Sequence, residues 1–141
     1  MSWDINGKFD KIDESEICGK VTKQTVEFAE SFGKYLAEGN SYAEALTTSQ
    51  LRRFFGEVKR QQMNGYDETD FQMLKPKLAY AVGRAEKSSK KDKRCKIRDF
   101  YEIMVDAIDK VEKSQDKDKA FKNFISIFEA IVAYHKAAEN K

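Results

Sequence analysis

The sequence predicts an all-α protein, a compact bundle of about five amphipathic helices. Apolar residues recur at i, i+3 and i+4 along most of the chain, and only one proline, Pro76, and seven glycines interrupt them. With 141 residues, 40% of them hydrophobic, the chain suits one modest core. The expected organisation is a single helical-bundle domain over 20–141, preceded by an N-terminal extension, 1–19.

The first helix is expected over about 20–38, with Val21, Thr25, Phe28, Phe32, Tyr35 and Leu36 on one side and Gly39-Asn40 as its stop. The second spans about 48–62. Thr47 is placed to N-cap it, Gln50 to complete a capping box, and Gly65 to break the chain after it. The third, about 69–86, presents Phe71, Leu74, Leu78, Ala81, Val82 and Ala85. Pro76 either kinks it by removing an intrahelical bond or marks its true start.

The run KSSKKDKRCK, 87–96, reads as a mobile polar connection. A fourth helix, about 97–113, carries Ile97, Phe100, Tyr101, Met104, Val105, Ile108 and Val111. A fifth, about 118–139, carries Phe121, Phe124, Ile125, Phe128, Ile131, Val132 and His135. Each apolar stripe must be buried against the others, which makes a bundle the natural architecture. In the extension, Trp3, Ile5, Phe9, Ile12 and Ile17 follow no period, and the segment either wraps the bundle or docks on a partner.

Composition excludes several classes. The start MSWDINGKFDKIDESE lacks the basic opening and apolar run of a signal peptide, and no apolar run approaches about 20 residues, so a cytoplasmic, membrane-free protein is expected. Cys18 and Cys95 form no CxxC pair and suggest neither a disulfide framework nor a zinc site. His135, the only histidine, falls inside an apolar stripe and reads as a packed core residue. Glu102, Asp106 and Asp109 lie three and four apart, but helical di-metal sites need a Glu-x-x-His motif from each of two helices. No metal and no cofactor is expected. With no phosphate loop, no dinucleotide fingerprint and no nucleophile elbow, the sequence offers no assembled catalytic set, and no enzyme is expected.

The 26 Lys and Arg nearly cancel 24 Asp and Glu, so the distribution of charge matters more than the net +2. On a wheel of roughly 100° per residue, Leu51, Phe54, Phe55, Val58 and Gln62 share one face of the second helix. Arg52, Arg53, Gly56, Lys59, Arg60 and Met63 lie away from it. Two basic rows, Arg52 with Lys59 and Arg53 with Arg60, flank Gly56, where a missing side chain allows close approach of a sugar-phosphate backbone. The third helix repeats the theme with Met73, Lys77, Tyr80, Arg84 and Lys87, and Lys75 adds to it. Tyr80, between Lys77 and Arg84, suits stacking on a base or ribose while the cations meet phosphates. In a chain that is 35% charged, such faces also arise as ordinary solvating groups. On that reading the protein is a helical protein–protein adaptor docking partners through exposed aromatics such as Tyr134 or Trp3. No zinc-finger spacing, RNP aromatics or helix-turn-helix signature is present to read bases.

LTTSQLRRFFGEVKR, LKPKLAYAVGR and, near the C-terminus, FKNFISIFEAIVAYHK, with FYEIMVDAI between the last two, follow in this order between residues 46 and 136. In this the chain resembles the Csm small-subunit family, the small subunit of the type III-A CRISPR effector complex. The resemblance implies a small helical bundle without catalytic activity. In antiviral defence such bundles stack in several copies along a filament of backbone subunits and help form the channel where guide RNA pairs with target RNA. The implied partners are guide RNA, target RNA, backbone subunits, the large subunit and neighbouring copies. The implied RNA-binding residues are Arg52, Arg53, Lys59 and Arg60 from the first motif and Lys75, Lys77 and Arg84 from the second, beside Tyr80. Sequence is read by base pairing in such complexes, so the protein need hold only phosphates and sugars.

Overall fold

The computed structural model describes residues 11–39, 43–88 and 94–139. Among them are six α-helices: α1 Lys23–Ala37, α2 Thr48–Asn64, α3 Glu68–Gln72, α4 Leu74–Ser88, α5 Ile97–Glu112 and α6 Lys117–Glu139. A two-residue parallel pairing joins β1, Ala43–Glu44, to β2, Arg94–Cys95, with Ala43 opposite Arg94. Among the described residues this short bridge is the one departure from an all-helical fold.

The longest helix, α6, organises the core, burying Phe121, Phe124, Ile125, Phe128, Ile131 and His135. α1 lies directly along it because Gly33 has no side chain. A Cβ there would sit 2.7 Å from the Ile131 carbonyl oxygen and 2.9 Å from the His135 nitrogen. On the other side α5 buries Phe100, Ile103, Met104, Ala107, Ile108 and Val111. Phenylalanines knit the helices edge to face: Phe54 of α2 meets Phe128 at 5.3 Å, and Phe71 of α3 meets Phe124 at 5.1 Å. Each such ring contributes about 1.5–3 kcal/mol by burial, with about 0.5–1.5 more per aromatic pair. His135 is a core residue, its Nε2 within 2.6 Å of the Leu46 carbonyl, to which it donates.

Local signals set the start and end of α2. Gln50 N–H donates to Thr47 Oγ1 (3.1 Å), Thr47 N–H donates to Gln50 Oε1 (2.8 Å), and Gly65 leaves the helix at φ 89°. On its buried face the expected Gln62 is exposed and Gln61 is buried instead, donating to Glu57 and to the Asp70 carbonyl. The expected third helix divides at Met73 into α3 and α4. Pro76 therefore stands in the first turn of α4, two residues after its start, close to the reading in which it marks the helix's beginning, and its missing N–H would have served Gln72, the last residue of α3.

The connection expected to be mobile at 87–96 is ordered at both ends. Lys87 and Ser88 finish α4, Arg94 and Cys95 form β2, and 89–93 lie outside the described residues. Lys96 is buried. Its ammonium donates to the carbonyls of Tyr35 (2.8 Å) and Glu38 (2.5 Å) at the end of α1 and lies 3.9 Å from the Tyr35 ring centroid. A cation thus meets the last carbonyls of α1, which ends at Ala37, two residues before Gly39; Asn40 lies outside the described residues. Beside it the buried Asp99 accepts from Tyr35 Oη at 2.8 Å and from both ends of the Arg94 guanidinium. Burial, followed by the hydrogen bond to Asp99, holds the Tyr35 phenol well above the usual range.

Of the N-terminal extension, Trp3, Ile5 and Phe9 lie outside the described residues, whereas Ile12 and Ile17 are buried. A π-helical turn, Ser15–Gly19, lies against α5 and α6. Asn123 donates to the carbonyls of Ile17 (2.8 Å) and Gly19 (3.2 Å), and Lys110 donates to that of Ile12 (2.5 Å).

Candidate nucleic-acid interface

The helical period places Arg52, Arg53, Gly56 and Arg60 of α2 in solvent, opposite Leu51, Phe54 and Val58. α4 does the same for Met73, Lys77, Tyr80 and Arg84 against Leu74, Leu78 and Val82. Where the two helices face each other they enclose a groove of about 720 Å³ that reaches the start of α5. Leu51, Phe54, Leu78, Ala81 and Phe100 line it, together with Arg53, Glu57, Lys77, Tyr80 and Arg84.

The eight candidate residues divide into two sets. Arg53, Lys77, Tyr80 and Arg84 come together around the groove. Among the described residues Arg52, Arg53 and Arg84 form no ion pair, and Arg84 lies 5.8 Å from the centroid of the Tyr80 ring. The other cations are already matched. Lys77 Nζ is 3.0 Å from Glu57 Oε2, Arg60 is 2.6 Å from the same oxygen and 3.5 Å from Asp70, and Lys59 is 2.6 Å from Glu129 of α6. Lys75 lies apart from the rest, tied to Asp109 of α5. The two basic rows of α2 thus look in different directions: the Arg53–Arg60 row faces α4, and Lys59 of the other row reaches α6.

Glu57, which the pattern reading passed over, is the electrostatic centre of this face. Hydrogen bonds from Arg60, then from Lys77 and Gln61, hold its carboxyl down at about 2 against an ordinary value of 4.5, with desolvation opposing them. The Arg60 guanidinium is raised in return, chiefly by its hydrogen bond to Glu57. The i,i+3 spacing of Glu57 and Arg60 was the legible signal; the link to Lys77, between helices, had none. Gly56 is exposed with open space where a Cβ would be, so no packing inside the protein requires a glycine there. On α5, Asp106 pairs with Lys110 at 2.7 Å and with Lys11 at 3.8 Å, and Asp109 holds Lys75. Two of the three carboxylates of that series, Asp106 and Asp109, are therefore held by ammonium groups. No described helix is long and apolar enough to cross a membrane.

With Arg53, Arg84 and the exposed Tyr80 at one groove, and Arg52, Arg53 and Arg84 without an ion pair among the described residues, the chain is a small helical protein with a charge-patterned surface. A family model described as Csm2 Type III-A matches residues 19–141, and the chain belongs to that family, the small subunit of the type III-A CRISPR complex. No curated protein and no solved structure matches the chain.

Proposed function

We propose that the protein is a non-catalytic, cytoplasmic subunit that stacks in several copies along the backbone filament of a type III-A effector. There it holds the guide and target RNA by the sugar-phosphate backbone, without sequence preference. The observation that carries this reading is that Arg53 and Arg84, at the groove between α2 and α4 beside Tyr80, and Arg52 on the adjoining row of α2, are exposed and unpaired among the described residues. An arginine without a carboxylate partner keeps its planar fork for a phosphate, and contacts of that kind position a strand without reading it.

Each phosphate neutralised steepens the salt dependence by about 0.7 log units on single-stranded RNA, so a single copy binds weakly and several copies side by side supply avidity. The test is RNA binding by Arg52→Ala/Arg53→Ala against strands of different sequence, with helicity checked by circular dichroism. The expected result is the same loss on every strand with the fold intact. A loss confined to particular sequences, or unchanged binding, overturns the proposal, and unchanged binding favours the protein–protein adaptor instead.

A further inference from the structure

We propose that the groove between α2 and α4 is a nucleobase site, taking one unpaired base of an RNA strand against Tyr80 while the flanking phosphates meet Arg53 and Arg84. This rests on the RNA-binding reading of the same face and adds to it a contact with the base itself. A base needs a flat π surface, an apolar floor and nearby cations. The groove has all three. Tyr80 is 66% exposed at its rim, and the Arg84 guanidinium lies 5.8 Å from its ring centroid. Phe54, Leu78 and Phe100 supply apolar floor, and Arg53 stands on the facing helix.

The volume of about 720 Å³ lies within the roughly 300–1,000 Å³ of small-molecule sites. An exposed aromatic against an apolar groove also suits a peptide side chain, but the two arginines on this rim, unpaired among the described residues, complement the phosphates on either side of a base. Two carboxylates line the groove: Glu57, already occupied by Arg60, Lys77 and Gln61, and Glu44, which lies 4.0 Å from Cys95 Sγ. Stacking on an aromatic ring tolerates any base, because every base has a π face, in keeping with an interface that leaves sequence to base pairing.

The experiment compares two strands of equal length, oligouridine and the same ribose-phosphate chain without bases, binding to the full-length protein and to its Tyr80→Ala and Tyr80→Phe variants. Tyr80→Ala is expected to weaken oligouridine binding about tenfold and to leave the baseless strand unaffected, while Tyr80→Phe binds both as the parent does. An equal loss on both strands, or none on either, overturns the base site. Arg52→Ala/Arg53→Ala run on the same strands separates the two proposals: loss on both strands upholds the backbone reading even where the base site fails. A parent protein that binds neither strand overturns both.

Discussion

Replacing Glu57 by glutamine tests whether the protein holds part of its own cationic face in check. The substitution removes one charge, keeps the side chain's length and leaves an amide oxygen able to accept from Arg60. In the native protein the Glu57 carboxylate lies 2.6 Å from Arg60 and 3.0 Å from Lys77, so a phosphate approaching either cation competes with it. Partly exposed pairs of this kind contribute about 0.2–1 kcal/mol each. Two of them make a competition of about 0.5–2 kcal/mol, or roughly a 2- to 30-fold gain in RNA affinity when it is removed. Lys77 gains more than Arg60, which keeps Asp70 at 3.5 Å. Each cation released also adds a phosphate contact, steepening the slope of log affinity against log salt by about 0.7 to 1.4 on single-stranded RNA. The assay is binding of one unstructured RNA to parent and Glu57→Gln protein across a salt series. An affinity and slope equal to the parent's, or lower, would refute the reasoning and make Glu57 an organiser of the two cations instead of a competitor.

Acid unfolding reports on the same carboxylate. Because its folded value is depressed from 4.5 to about 2, its contribution to stability is full above pH 4.5 and is lost as pH falls toward 2, and Glu57→Gln is expected to flatten that limb of the stability curve. The helical glycines of α1 and α2 are expected to respond in opposite directions to alanine. Gly33→Ala forces a methyl onto the α6 backbone and costs about 1–3 kcal/mol or more, whereas Gly56→Ala points into open space and gains up to about 1 kcal/mol from helix propensity. Equal and small shifts in thermal midpoint would show that α1 and α6 separate easily. Lys96→Met strips the ammonium from the end of α1 and leaves the Tyr35 and Glu38 carbonyls without it. A loss of about 2–4 kcal/mol in denaturant unfolding is expected, and a loss below about 1 kcal/mol would mean that water replaces the charge.

The features legible in the sequence were those decided within a few residues of chain. The capping box of Thr47 and Gln50 and the turn at Gly65 depend only on neighbours, so the start and end of α2 could be read in advance. Periodicity reports angle about a helix's own axis, which was enough to send Arg52, Arg53, Tyr80 and Arg84 outward and His135 inward. One error was of a single residue, Gln62 for Gln61, where two polar side chains of the same type compete for one position on the wheel. Lys96 was misread for a different reason. A run of lysines looks solvated in every local respect, and only the carbonyls at the end of α1, some sixty residues earlier in the chain, make one of them worth burying. The same limit governs the interface. Charge type and helix face are one-dimensional properties and were available from the start, but whether a cation is free depends on which carboxylate another helix brings within about 4 Å. Tertiary packing alone joined Lys77 to Glu57, Lys59 to Glu129 and Lys75 to Asp109, and left Arg53 and Arg84 at the groove beside Tyr80, and Arg52 on the other row of α2, uncompensated among the described residues.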